Sequence, residues 1–348
     1  IARRMSELLA VPESRAFPLR RLLQPLLAAR HVVLTTHVNA DGDGTGSQAA
    51  VAAWLEGRGV RATIVNPTPF PDGLRFVLHR QDLVAELGTA EADAALEDAD
   101  LFLVLDTSEP SRLGELAPRI PRARTLVVDH HQPGGDVAGD VAVQDPAAAA
   151  TGEMVFDLIT LAGDVLPHAS ALGAYVALVS DTGSFRFGNT TPRVHAVAAE
   201  LMGLGIDPEV VYRRLFATAP RRRLELLREA LATLDSDGSG RVSWVVVTHA
   251  AADRLGAAPD DFDGLVEHVR SIEGTEVALV FRETGPSETK ISFRSNGAAD
   301  VNRVARKFGG GGHVKAAGAT VAEPAARVVP RVVEAVVEAL PGLKAVSP

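Results

Sequence analysis

Four short apolar runs rich in β-branched residues, at 31–36, 60–65, 101–105 and 125–128, constrain this chain more than anything else in it. Each is the length of a strand and too short for a buried helix, and helix-compatible sequence separates most of them. That alternation predicts an α/β fold, a mainly parallel sheet flanked by crossover helices. Open sheets of this kind place their ligands beyond the carboxyl ends of the strands. Three of the four ends here carry acids and histidines: His37, Asp41 and Asp43 after the first, Asp106 after the third, and Asp129, His130 and His131 after the fourth.

Those residue types suit a metal site. The stretch 37–47, HVNADGDGTGS, sets one imidazole and two carboxylates within seven residues, ahead of a helical pattern at 48–55. Its Gly42, Gly44 and Gly46 read as tight turns that let ligands converge on a cation, the competing reading being a solvated strand-to-helix turn with a capping aspartate. Asp106 ends a continuous buried-strand pattern, where an acid also serves to cap a helix. Adjacent histidines on an extended chain point in different directions, so one can bind a metal while the other faces a substrate. Asp181 closes an apolar helical segment, and a carboxylate at a helix C-terminus is best explained by a nearby cation. The chain has no cysteine, which excludes disulfides, thiolate ligands and a cysteine nucleophile, and leaves oxygen and imidazole nitrogen as donors.

At 348 residues two domains are expected. Helical patterns continue to about 234; after the turn cluster 235–240, strand-like runs at 241–247, 276–281 and 290–294 predict a smaller α+β domain with partly antiparallel pairing. Asp235-Ser236-Asp237-Gly238 lacks the downstream glutamate a calcium loop requires. The run Gly309 to Gly312 before His313 offers backbone N–H groups that can close around a phosphate or carboxylate. A net charge of −9 argues against binding long duplex DNA, yet 286–318 holds six basic residues against two acidic ones, the makings of a local basic pocket. No run reaches membrane-spanning length and 1–30 lacks a signal-peptide pattern, so a cytoplasmic protein without membrane association is the simplest reading.

Taken together, HVNADGDGTGS, the aspartate of VLDTS, the triplet of VVDHH and the aspartate of VSDTGSF resemble the four motifs of the DHH phosphoesterase superfamily. KISFRS (290–295) and FGGGGHVKAAG (308–318) are similar to its DHHA1-type substrate domain, and the match runs in order from about 30 to about 340. The two-domain size resembles the bifunctional oligoribonuclease and phosphoadenosine phosphatase (nanoRNase) branch. The resemblance implies a DHH catalytic domain at 15–218, a helical linker at 219–240 and a DHHA1 substrate-binding domain at 241–342. It implies two divalent ions that activate water, with Mn2+ favoured over Mg2+ or Co2+: His37, Asp41 and Asp106 on one, and Asp43, Asp106, His130 and Asp181 on the other. His131 would donate to the scissile phosphate and Asp129 would orient a histidine, while Arg294, Ser295, Gly310, Gly311, Gly312 and His313 would hold the substrate. The implied substrates are RNAs of about two to five nucleotides, linear dinucleotides and 3′-phosphoadenosine 5′-phosphate (PAP), cleaved by a homodimer. A cyclic-dinucleotide phosphodiesterase, a family II inorganic pyrophosphatase and a non-catalytic nucleotide sensor or RNA-binding module are the rival expectations.

Overall fold

The computed structural model describes Ala2–Leu340, with side chains from Ser6 onward, and the expected domain end at 342 lies outside the described residues. The chain divides into two compact units after Thr218.

In the first unit the described residues form one parallel sheet from β1 (His31–Thr35), β2 (Arg61–Ile64), β3 (Leu101–Leu105), β4 (Thr125–Asp129) and β5 (Val141–Gln144), in the order β2-β1-β3-β4-β5. Its helices are α1 (Ala2–Leu9), α2 (Glu13–Ala28), α3 (Gly42–Gly57), α4 (Ala90–Asp98), α5 (Thr151–Leu161), α6 (His168–Asp181), α7 (Pro192–Gly203) and α8 (Pro208–Phe216). Strands β1, β3 and β4 are buried along their whole length because apolar layers cover both faces. Val32, Leu34, Leu103, Leu105, Leu126 and Val128 face α2, α3, α5 and α6. Val33, Phe102, Val104 and Val127 face α4 and the 3-10 segment Pro110–Arg119. Strand β5 has no counterpart among the expected runs: it is four residues at the sheet edge, with Val143 alone buried, and carries too little apolar sequence to stand out. The chain leaves β1 for β2 on one side and returns to β3 on the other, which opens a crevice at the carboxyl ends of β1 and β3.

The three glycines expected to soften a loop sit inside α3 instead, and none has a positive φ. Their use is close packing. A Cβ on Gly46 would lie 2.4 Å from the Gly173 carbonyl oxygen of α6, and one on Gly173 would lie 2.3 Å from the Gly46 carbonyl oxygen. The backbones of α3 and α6 therefore touch, which brings the start of α3 beside the end of α6.

The second unit carries a mixed sheet of β6 (Asp235–Ser236), β7 (Val242–Val247), β8 (Val277–Gly285), β9 (Glu288–Ser295), β10 (Gly311–His313) and β11 (Ala316–Val321), ordered β10-β11-β9-β8-β7-β6, with β7 and β8 parallel and the other pairs antiparallel. Helix α9 (Arg221–Leu231), in the stretch expected to link the domains, packs Leu226 and Ala230 with Val245 and Val247 on one face; α10 (His249–Leu255) and α11 (Leu265–Arg270) complete that side. Helices α12 (Val301–Lys307) and α13 (Ala325–Ala339) cover the other. Among the described residues, no helix is long and apolar enough to cross a membrane.

Candidate metal centre

Six side chains from four stretches of the sequence converge at the crevice. Residue Asp41 is the N-cap of α3: its Oδ1 accepts the N–H groups of Asp43 and Gly44 at 3.0 and 3.1 Å, which leaves Oδ2 facing His37 Nε2 at 3.8 Å. The His37 ring donates from Nδ1 to the Val38 carbonyl at 2.8 Å, which leaves its Nε2 pointing at Asp106 Oδ2, 3.4 Å away. Asp106 directly follows β3 with φ at 63°, in the left-handed region that a non-glycine residue seldom occupies, and the turn aims its carboxylate back into the crevice. On the other side of Asp106, His130 Nε2 lies 3.5 Å from its Oδ1, 3.6 Å from Asp43 Oδ2 and 3.0 Å from Asp181 Oδ2.

Two groups with metal-ligand spacing result, His37–Asp41–Asp106 and Asp43–His130–Asp181, and Asp106 reaches both. A third, Asp106–His130–His131, overlaps them. The Nε2 atoms of His37 and His130 are buried without a properly directed hydrogen bond. A buried imidazole nitrogen without a directed hydrogen bond is costly, and a cation in each group would give its ring nitrogen a directed partner. The donors fit a borderline divalent ion.

Asp43 is fully buried, and its carboxylate sits at the N-terminus of α5, where the Thr151 and Gly152 N–H groups donate at 2.6 and 2.9 Å and the Ser47 hydroxyl at 3.1 Å. Even so, burial and then repulsion from Asp106 and Asp181 push Asp43 well above the usual carboxylate range. Burial, then Asp41 and Asp181, does the same to Asp106. Burial alone would lower His130, but the Asp181, Asp43 and Asp106 carboxylates outweigh it and push it up to about 9. The protein's own charges leave this cluster short of positive charge.

The His131 ring is held by its neighbour: Asp129 Oδ1 accepts from His131 Nδ1 at 2.7 Å and from its backbone N–H at 3.0 Å. Burial would raise Asp129, yet these bonds and the Ser108 hydroxyl hold it below the usual range. Ser108 in turn accepts from the Gln144 amide of β5 at 2.7 Å. Ser47, Ser108, Gln144 and Thr151 were not singled out in the sequence. Thr151-Gly152-Glu153 does read as a helix start, but nothing local says which carboxylate will sit on it.

The expected substrate residues lie in the second unit. Arg294 pairs across the sheet with Ala316, and Ala316 with His313, so Arg294 and His313 stand in one row on the same face with a small residue between them. Neighbouring Ser295 turns to the buried face, where its hydroxyl donates to the Gly297 carbonyl, and it does not join that row. Gly310 and Gly312 serve the backbone. The N–H of Gly310 donates to the Ala305 carbonyl at the end of α12, and a Cβ there would lie 2.0 Å from the Gly318 carbonyl oxygen. Gly312 has φ at 142° and crowds β11. At Gly311 an added Cβ would meet nothing within 4 Å.

Residues 31–179 match the DHH family N-terminal domain and residues 242–341 the DHHA1 domain. The bifunctional oligoribonuclease and PAP phosphatase NrnA of Thermus thermophilus is 34% identical over 314 residues, spanning 89% of this chain and 90% of that one. The chain belongs to the DHH phosphoesterase family. This DHH hydrolase is also 28% identical to the Bacillus subtilis protein of the same name, over 83% of this chain and 89% of that one. The crystal structure of an exopolyphosphatase-related protein from Bacteroides fragilis is similar with a TM-score of 0.82 at 25% identity, covering 91% of this chain and 96% of that one.

Proposed function

We propose that this DHH hydrolase cleaves RNAs of about two to five nucleotides, linear dinucleotides included, to mononucleotides, and removes the 3′-phosphate from PAP, using two divalent ions with Mn2+ preferred. The observation that carries the reading is the pair of His/Asp groups sharing Asp106, each with a buried imidazole nitrogen that faces carboxylates without a directed hydrogen bond. The names of the Thermus and Bacillus relatives support the substrate class. His37, Asp41 and Asp106 would hold one ion, and Asp43, Asp106, His130 and Asp181 the other. When bound, such ions polarise a phosphoryl oxygen and lower the pKa of water.

The chain's own groups do the rest. The α5 N-terminus favours the ionised form of Asp43. Asp129 fixes the His131 ring by Nδ1 and leaves Nε2 free to donate to a phosphate oxygen when the ring is protonated. Arg294 and His313 present two donors in one row for a terminal phosphate. The same reading expects a cytoplasmic homodimer, checked by light scattering and cell fractionation.

The test offers the purified protein with Mn2+ a labelled RNA dinucleotide to pentanucleotide series, PAP, a cyclic dinucleotide and pyrophosphate in parallel. Mononucleotide release from the short RNAs, with phosphate release from PAP, is expected. Hydrolysis of pyrophosphate alone would reverse the choice, and tight nucleotide binding without turnover would make the protein a sensor.

A further inference from the structure

We propose that Asn189 is a positioning residue of the metal centre, a side-chain clip that joins the two helix termini on which Asp43 and Asp181 depend; the proposal rests on the metal-centre reading above. The Asn189 amide nitrogen donates to the Ala149 carbonyl at 3.0 Å and to the Asp181 carbonyl at 3.1 Å, which uses both of its protons. Asp181 is the last residue of α6. Ala149 lies two residues before α5, whose Thr151 and Gly152 N–H groups hold Asp43 and whose Thr151 hydroxyl donates to Asp106 at 3.2 Å. One nitrogen therefore ties together the segments that supply or hold three of the cluster's carboxylates.

Of the two anchored segments, Ala149 is the fixed one. Its N–H donates to Glu153 Oε2 at 2.9 Å, and Glu153 Oε1 accepts from the guanidinium groups of Arg15 at 3.1 Å and Arg193 at 2.7 Å. Both arginines also bind the buried carboxylate of Asp157 in α5, at 2.6 and 2.5 Å. The segment after Asp181 is the one with strained backbone. Gly183, Ser184 and Phe185 follow one another with φ of 55°, 59° and 64°, a run of left-handed backbone that a serine and a phenylalanine do not hold unaided. Asn189 itself is exposed, so its bonds are not required to fill a core. Its effect is to register the Asp181 peptide, and with it the carboxylate 3.0 Å from His130, against the α5 terminus.

The experiment titrates Mn2+ into the full-length protein and follows the free ion by electron paramagnetic resonance. It compares the wild type with Asn189→Ala, with Asn189→Leu, which keeps the bulk and loses the donors, and with Arg186→Ala. Arg186 braces the same loop by donating to the Gly183 carbonyl but does not reach α5. Thermal unfolding in EDTA is recorded for each. Groups that orient metal ligands typically change affinity by about tenfold to a hundredfold. Both Asn189 variants are expected to lose about tenfold or more in Mn2+ affinity with unfolding in EDTA close to wild type, to regain turnover in excess Mn2+, and to keep the wild-type KM, while Arg186→Ala titrates like wild type. Unchanged titrations for the Asn189 variants, a loss that tracks lowered stability in EDTA, or an equal loss in Arg186→Ala would each overturn the proposal. A wild type that binds no Mn2+ would instead sink the metal-centre reading itself.

Discussion

His37 and His130 approach Asp106 from opposite sides, each with Nε2, and each ring nitrogen is buried among carboxylates without a directed hydrogen bond. Such a residue has no structural substitute. His130→Ala is expected to abolish metal-dependent hydrolysis with the fold intact by circular dichroism, whereas Arg294→Ala raises KM and leaves kcat near wild type; steady-state kinetics separates the two. A different histidine sets a pH dependence of stability. His31 is buried at the start of β1, where burial first and then Arg61 push it down to about 4 from 6.5. Between those values the unfolded chain binds a proton that the folded chain refuses, so this residue makes stability rise with pH across that window and is silent above it. Urea unfolding of His31→Gln between pH 4 and 6.5 should show a flatter dependence than wild type. Asp106 at φ 63° belongs to the same scale: its residue type was readable as a strand-end acid, its backbone strain was not.

At the scale of elements, the contact between α3 and α6 sets how close Asp43 comes to Asp181. Gly46→Ala places a methyl group 2.4 Å from the Gly173 carbonyl oxygen, so the helices must separate. Overpacking of this kind costs about 1–3 kcal/mol. The variant should show a lowered Tm together with weakened Mn2+ binding, measured by calorimetry on the same sample. The β10–β11 hairpin makes the opposite prediction. Gly311 stands in register with Gly318 on the edge of the sheet, has no positive φ and has room for a Cβ. Gly311→Ala should therefore change stability by no more than about 0.5 kcal/mol. It should still raise KM for a dinucleotide if a ligand lies flat on this backbone; an unchanged KM would remove the glycine floor from the substrate surface. Apolar period and turn chemistry announced most of these elements, but a glycine packed against another helix and a glycine in a loop read alike in sequence.

For the whole molecule, all the ligand candidates lie in the first unit, so metal binding should stabilise that unit selectively. A ligand at a hundred times its Kd contributes about 2.7 kcal/mol. For a domain of about 200 residues that is roughly 5–10 °C in Tm. Calorimetry in Mn2+ against EDTA should raise the transition carrying the first unit by about that much, and His130→Ala should shrink the rise. The sequence by itself determined the parallel α/β architecture, the mixed second domain and the residues that gather at the strand ends, because strand period, crossover spacing and the rule that ligands sit at carboxyl ends are local or topological. Family resemblance then separated the acids and histidines into two groups sharing Asp106. Only the tertiary structure decided what holds those side chains in place. Thr151 and Gly152 donate to a carboxylate 108 and 109 residues earlier in the chain, Arg15 reaches Asp157 across 142, and Asn189 joins two helix ends through backbone carbonyls that every residue possesses. Such contacts leave no mark in local periodicity, since they depend on where separate segments meet once the core has formed.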